Sequence, residues 1–190
     1  MSLSAQEVAL TKHHLSAGYG TGNLNQGILL FVKNNISILD YSATGPYFIA
    51  YMYRFNKKIA IGGRYAYAAS ELSYTDKSQQ VSPGVYYNAS FSWYSYSALV
   101  RAQFYFYSEN NLELYMSSGF GIRYGEQRYQ DNLPNSQDSV IPNPIPIGFD
   151  FTLGATYHLT DFFSFYTEVG LAKAVVQVGA VISFGYARKD

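Results

Sequence analysis

His14 and Ser16 are the first residues in this chain whose types could do chemistry together, because a hydroxyl beside an imidazole is the core of a nucleophilic hydrolase. Such a pair also needs a carboxylate to orient the imidazole, and none presents itself for that role. His13 and His14 make a poor metal pair, since adjacent strand residues point to opposite faces. The chain has no cysteine, which excludes thiolate metal sites and disulfides. Gly18-x-Gly20-x-Gly22 matches a phosphate loop weakly, but no helical pattern follows it. Asn35-Ile36-Ser37 and Asn88-Ala89-Ser90 fit the glycosylation pattern by chance. No catalytic set, cofactor site or metal site is expected. What remains is a scatter of charge: Arg54, Arg64, Arg101, Glu113, Arg123, Asp150, His158 and Glu168. Their meaning depends on the elements that carry them.

Every one of these residues lies in a segment that alternates with a period of two, the signal of a strand. From Ile147 to Leu171, Phe149, Phe151, Leu153, Ala155 and Tyr157 share one face, opposite Gly148, Asp150, Thr152, Gly154 and Thr156. After Thr160-Asp161-Phe162 the alternation resumes, with Phe163, Phe165, Thr167 and Val169 against Ser164, Tyr166 and Glu168. This predicts a hairpin. The same reading gives strands over His14–Gly20, Pro46–Phe55, Ile59–Ala68, Ser90–Tyr107, Leu112–Tyr124 and Val176–Phe184. Connections at Asn56–Lys58, Ser108–Asn111, Thr160–Phe162 and Ala172–Ala174 are short. Those at Thr21–Gly45, Ser70–Ala89 and Glu126–Pro146 are long. The first long one either extends its flanking strands or folds over their ends.

The expected fold is therefore all-β: about eight antiparallel strands in up-and-down order, closed into a barrel. The two faces decide its solvent. Arg54, Arg64, Arg101, Glu113, Arg123, Asp150 and Glu168 all fall on the small, glycine-rich face. The other face is almost uncharged and rich in Tyr, Phe, Ile and Val. A soluble barrel has the opposite arrangement, and an aqueous surface this apolar would exceed any ordinary exposed patch. Composition agrees: 20 Tyr and 13 Phe raise aromatics to 18%, while charged residues reach only 14%, against about 25% in ordinary domains. No apolar run approaches the ~20 residues of a membrane helix, but barrel strands hide hydrophobicity by alternation. Zero net charge and no basic stripe argue against nucleic acid.

Aromatic positions sharpen this reading. Tyr53, Phe55, Phe104, Phe106, Tyr157 and Phe163 sit on the outward face beside the short turns. Tyr47, Tyr65, Tyr67, Tyr94, Tyr96 and Tyr124 sit on it towards the long loops. Val100, Ala102, Leu114, Leu153 and Val169 lie between. Two aromatic girdles around an aliphatic band form the membrane-interface pattern.

The stretches GPYFIAYMYRFNKKIAIGGRYAY, SALVRAQFYF with LELYMSSGFGIRYG, and FTLGATYHLTDFFSFYTEVGLAKAVVQVGAVISF resemble small outer-membrane β-barrels of the OmpX/OmpA-like kind, particularly those of Bacteroidetes-type bacteria. The resemblance implies a bacterial outer-membrane location, a removed signal peptide, extracellular long loops and periplasmic short turns. It also implies lipid, lipopolysaccharide and the outer-membrane assembly machinery as partners, with a monomeric barrel. Residues 1–13 then read as an amino-terminal periplasmic segment with Met1-Ser2-Leu3 an artificial start, 14–186 as the barrel and 187–190 as a tail. One departure is the carboxyl end, where Ala187-Arg188-Lys189-Asp190 follows the aromatic Phe184 and Tyr186.

Counting from the short turns at roughly 2.3 Å of axial rise per residue, Arg64, Arg101 and Glu168 share a height near mid-barrel. Arg54, Glu113 and His158 lie lower; Asp150 and Arg123 lie higher. Enclosed charges must pair or be hydrated, so Glu168 is expected to accept hydrogen bonds from Arg64 or Arg101. The cluster reads as a polar plug in preference to an ion pathway, because eight strands leave little room for a channel. Four readings of function follow. The favoured one is a non-enzymatic surface-interaction barrel, adhesion- or defence-like, with a surface-protein partner. The alternatives are a lipid A deacylase or acyltransferase, a narrow pore for ions or small solutes, and, least fitting, a soluble lipocalin-like carrier. Alternation places His14 and Ser16 at the periplasmic mouth, away from where a deacylase would need them.

Overall fold

A computed structural model of the chain describes residues 11–21, 39–134, 138–142 and 146–186. The proposed reach of residues 23–38, the proline run at 143–145, the 1–10 segment and the 187–190 tail lie outside the described residues. Among the described residues nine strands run in order: β1 (Thr11–Thr21), β2 (Leu39–Arg54), β3 (Ile59–Ser82), β4 (Val85–Glu109), β5 (Leu112–Asp131), β6 (Ser139–Pro142), β7 (Ile147–His158), β8 (Phe163–Leu171) and β9 (Val176–Tyr186). All neighbouring pairs are antiparallel. Eight of the strands close a ring in the order β1-β2-β3-β4-β5-β7-β8-β9, with β9 pairing back onto β1. Among the described residues the short β6 pairs only with the far end of β5, from Glu126↔Pro142 to Tyr129↔Ser139.

The tight turns are built by their own side chains. Asn56 Oδ1 accepts from the amides of Lys58 and Ile59 at 2.8 and 2.9 Å. Thr160 Oγ1 accepts from the Phe163 amide at 3.0 Å. Asn110 adopts φ of 52° between β4 and β5, a conformation asparagine tolerates better than most residues.

The far end departs from the sequence reading. Residues 70–89, expected as a polar loop, continue β3 and β4 as a paired ribbon that turns at Pro83-Gly84, and Glu126–Asp131 continues β5. Polar residues with no apolar partner face carry no alternation signal. They form strand here because each finds a backbone ladder already started by its neighbour. Pairing slips twice within the ribbon, between Gln80 and Ser82 and, further from the tip, between Asp76 and Gln80. There Asp76 Oδ1 accepts from the Ser78 amide and hydroxyl and so competes with the ladder. An apolar band of about 25 Å needs roughly eleven tilted residues, yet β3 and β4 hold 24 and 25. A sheet therefore projects well beyond the band.

Two bulges reset the faces. Between Thr44 and Tyr47 the β2 register shifts at Gly45, whose φ is +81°, marking where the barrel wall gives way to the projecting sheet. Between Tyr105 and Tyr107 a second shift brings Tyr107 opposite Leu114 and turns it outward, although strict alternation assigns it to the lumen.

Elsewhere the two faces are distinct. Val100 and Phe120, paired across β4 and β5, are 69% and 66% exposed, amid an outward belt of Ile61, Leu153, Val169 and Ile182. Tyr47, Tyr65, Tyr94, Tyr96 and Tyr124 are exposed above that belt; Phe55, Phe104, Phe106 and Tyr157 are exposed below it. Tyr53, Tyr67 and Phe163 are half-buried. Arg54, Arg64, Arg101, Glu113, Asp150 and Glu168 are all buried in the lumen. The molecule is an eight-stranded up-and-down barrel of the transmembrane type: apolar outside, polar within.

Candidate functional site: the ion-paired lumen

The lumen holds three charge clusters stacked along the barrel axis. Nearest the short turns, Arg54 Nη1 donates to both Glu113 oxygens at 2.8 and 3.1 Å, and the Ser108 hydroxyl donates to Oε1 at 2.8 Å. His158 Nε2 lies 3.1 Å from Glu113 Oε2. The Arg54 guanidinium stacks over the Tyr105 ring at 4.0 Å, which shields it from water on one face.

At mid-barrel Glu168 is the hub. It accepts from Arg101 Nη1 and Nη2, each at 2.8 Å, from Arg64 Nη1 at 3.2 Å, from the Tyr115 hydroxyl at 3.0 Å and from the Thr152 hydroxyl at 3.3 Å. Asp150 joins through Arg64 at 3.2 Å and Arg101 Nε at 3.5 Å. Arg64 Nη2 also donates to Gln177 Oε1, and its guanidinium covers Phe48 at 4.1 Å. Two arginines and two carboxylates make this layer electrically neutral. Such a constellation is far more favourable than any of its charges alone.

Glycines make room for it. A Cβ on Gly154 would lie 2.3 Å from Tyr115 Cζ, and one on Gly18 the same distance from the Tyr166 hydroxyl. Small inward residues on one strand thus accept large inward tyrosines from another. Gly154→Ala is expected to displace Tyr115 from Glu168 and to destabilise the barrel by about 1–3 kcal/mol. Urea midpoints measured in lipid vesicles check this; an unchanged midpoint would mean that the lumen repacks freely.

Arg123 stands apart from both layers. It faces the lumen higher up, with Nε donating to Ser95 Oγ at 3.3 Å. Lys173, in the turn between β8 and β9, donates to the same oxygen at 3.0 Å. Among the described residues, no carboxylate lies within ion-pairing distance of either cation.

Arg64 and Phe48 sit between two cavities. A small one of about 30 Å³ reaches towards His14, Glu113 and His158, and a larger one of about 210 Å³ opens towards Arg123 and Lys173. His14 and Ser16 do not meet as a catalytic pair: His14 Nδ1 is 2.9 Å from Ser183 Oγ, and Ser16 donates to the Ala50 carbonyl at 3.4 Å. His13 faces outward, stacked on Phe184. Gln177, Thr152 and Tyr115 are network members that a search for charge overlooks, although alternation places each on the inward face. Lys173 lies in a turn, where alternation assigns no face.

The architecture and lumen define a class: small transmembrane β-barrels whose interior is filled by an ion-paired core. No family model matches the sequence, and no curated protein does. Solved structures similar to this chain include that of Ail, the attachment invasion locus protein of Yersinia pestis, in complex with the heparin analogue sucrose octasulfate. That chain is 14% identical over 92% of this one and 96% of its own length, with a TM-score of 0.46. Ail without that molecule gives a TM-score of 0.44 at the same identity and coverage.

Proposed function

We propose that this chain is a non-enzymatic bacterial outer-membrane barrel that presents a projecting β-sheet to the cell's surroundings as an adhesion- or defence-like contact surface. Within that class, the strand sequences favour kinship with the Bacteroidetes-type barrels. The observation that carries the proposal is the length of β3, β4 and β5, which run far past the apolar band as one hydrogen-bonded sheet. Strands kept paired beyond the membrane hold side chains in place at a distance from it, as a binding surface requires and a bare membrane plug does not. The lumen supports a structural role for the barrel itself, since the Arg64–Arg101–Asp150–Glu168 layer fills its middle. The short turns then face the periplasm and the sheet faces outward, with lipopolysaccharide around the belt and the assembly machinery as the route of insertion.

Joining Glu71 to Ser92 through an Asn-Gly turn tests this. Those two residues are direct cross-strand partners, so a two-residue turn preserves the register. The trimmed barrel is expected to fold and to keep its heat-modifiable gel migration, while cells carrying it lose attachment to protein-coated surfaces relative to cells carrying the full chain. Equal attachment on every surface would overturn the proposal.

A further inference from the structure

Among the described residues, the barrel wall is notched on its outer rim between β7 and β8. β7 begins at Ile147, yet its pairing with β8 begins only at Phe151↔Leu171, so among the described residues Ile147–Asp150 have β5 on one side and no strand on the other. The chain leaves β8 at Leu171, and its turn folds inward, burying Ala174 against Phe48 and Ala66. Lys173 then reaches over β7 and β5 to Ser95 on β4, a chord across part of the mouth. Beneath this chord lies the 210 Å³ cavity. Its lining is mixed: Arg64, Arg123, Asp150 and Lys173 from the lumen, with Ile147, Phe149 and Leu171 from the lipid-facing side. The cavity therefore opens sideways through the notch. Ile147 pairs with Ile122, two residues below Tyr124 and its stacked partner Tyr96. That is the level of the outer aromatic girdle, where headgroups meet acyl chains.

The charge in this place is unbalanced. The layer below is neutral, so Arg123 and, when protonated, Lys173 add positive charge around one shared hydroxyl. A single serine oxygen satisfies one hydrogen bond from each and neutralises neither. We infer that the notch is a binding site for a phosphate-class oxyanion, held by Arg123, Lys173 and Ser95 and presented from the side by a phosphorylated lipid headgroup whose acyl chains lie on Ile147, Phe149 and Leu171. The inference rests on the transmembrane reading of the barrel. Burial, and then the neighbouring Arg123 charge, pull the Lys173 ammonium down to about 7. The other charged groups lining the cavity are Arg64 from β3 and Asp150 from β7.

Trp93, the only tryptophan in the sequence, lies two residues from Ser95 on the same face of β4 and serves as reporter. The full chain in nonionic detergent is titrated with bis-phosphorylated lipid A, with phosphatase-treated lipid A and with inorganic sulfate, and folding of each variant is verified by gel migration. The expected result is that the phosphorylated lipid binds and the treated lipid binds at least tenfold more weakly. The double variant Arg123→Gln/Lys173→Gln, still folded, is expected to lose that preference, while Arg128→Gln on the projecting sheet keeps it. Sulfate, whose charge is constant in this range, is expected to bind about tenfold more tightly at pH 6 than at pH 8, and Lys173→Gln removes the difference. Sulfate binding without lipid discrimination would overturn the lateral route and support the oxyanion pair alone. Unchanged affinities in the folded double variant would overturn the site. A wild-type chain that shows no heat-modifiable fold in detergent would overturn the barrel reading instead.

Discussion

Replacing Glu168 with alanine is expected to cost the barrel about 3–5 kcal/mol, the range for breaking a buried ion pair by removing one partner. Glu168 is 2% exposed and accepts hydrogen bonds from two arginines, a tyrosine and a threonine. Its removal leaves Arg64 and Arg101 facing each other with Asp150 as the one remaining carboxylate of their layer. Neither guanidinium can shed its proton, so the excess charge stays in the lumen. Urea unfolding in phospholipid vesicles, followed by gel migration without boiling, measures the loss. Glu168→Met combined with Arg101→Met is expected to recover most of it, because removing both partners takes away the desolvation cost along with the attraction. A loss below 1 kcal/mol for the single variant would mean that water, and not side chains, fills the lumen.

The second large effect lies on the opposite face. Val100→Arg is expected to destabilise the vesicle-inserted barrel by about 2–4 kcal/mol, and Tyr124→Arg by only about 0–1, following the depth dependence of charge on a lipid-facing barrel surface. Val100 sits mid-belt, paired with Gly63 on β3 and Phe120 on β5, whereas Tyr124 is at the girdle. On a soluble protein both sites are ordinary surface positions where such changes stay within about 0.5 kcal/mol. Equal, small losses at the two depths would therefore refute the membrane belt. Measuring both variants in vesicles of the same lipid isolates depth from chemistry.

Together the two experiments probe one design from both sides. In water, hydrophobic burial holds a barrel shut from within. Here the belt faces lipid, so the lumen must be held by polar pairing, and the glycines opposite Tyr115 and Tyr166 allow those pairs to close.

Much of this was legible because a strand's period is two and does not drift. Once Glu168 and Asp150 fell with the glycines while Phe149, Phe151 and Phe165 fell with the aliphatics, the sidedness of the whole ring followed. Axial counting from the short turns likewise grouped Arg64, Arg101 and Glu168 at one height. Periodicity is blind to a bulge, however. The slip at Phe106 turned Tyr107 outward, and the one at Gly45 redirected the start of β2. It is equally blind where both faces are polar, so the ribbon from Ser70 to Asn88 read as loop. A ladder of backbone hydrogen bonds needs no hydrophobic face once a neighbouring strand supplies the template.

By itself, then, the sequence determined the all-β fold and the alternation of faces along the barrel strands between bulges, because alternation is a local property of the backbone. Tertiary structure alone decided which charges meet. Asp150 joined the mid-barrel layer, while Arg123 was left above it with Lys173 from a turn that carries no periodicity. Partnership across a barrel depends on the stagger between strands far apart in the chain, and no local pattern records that stagger.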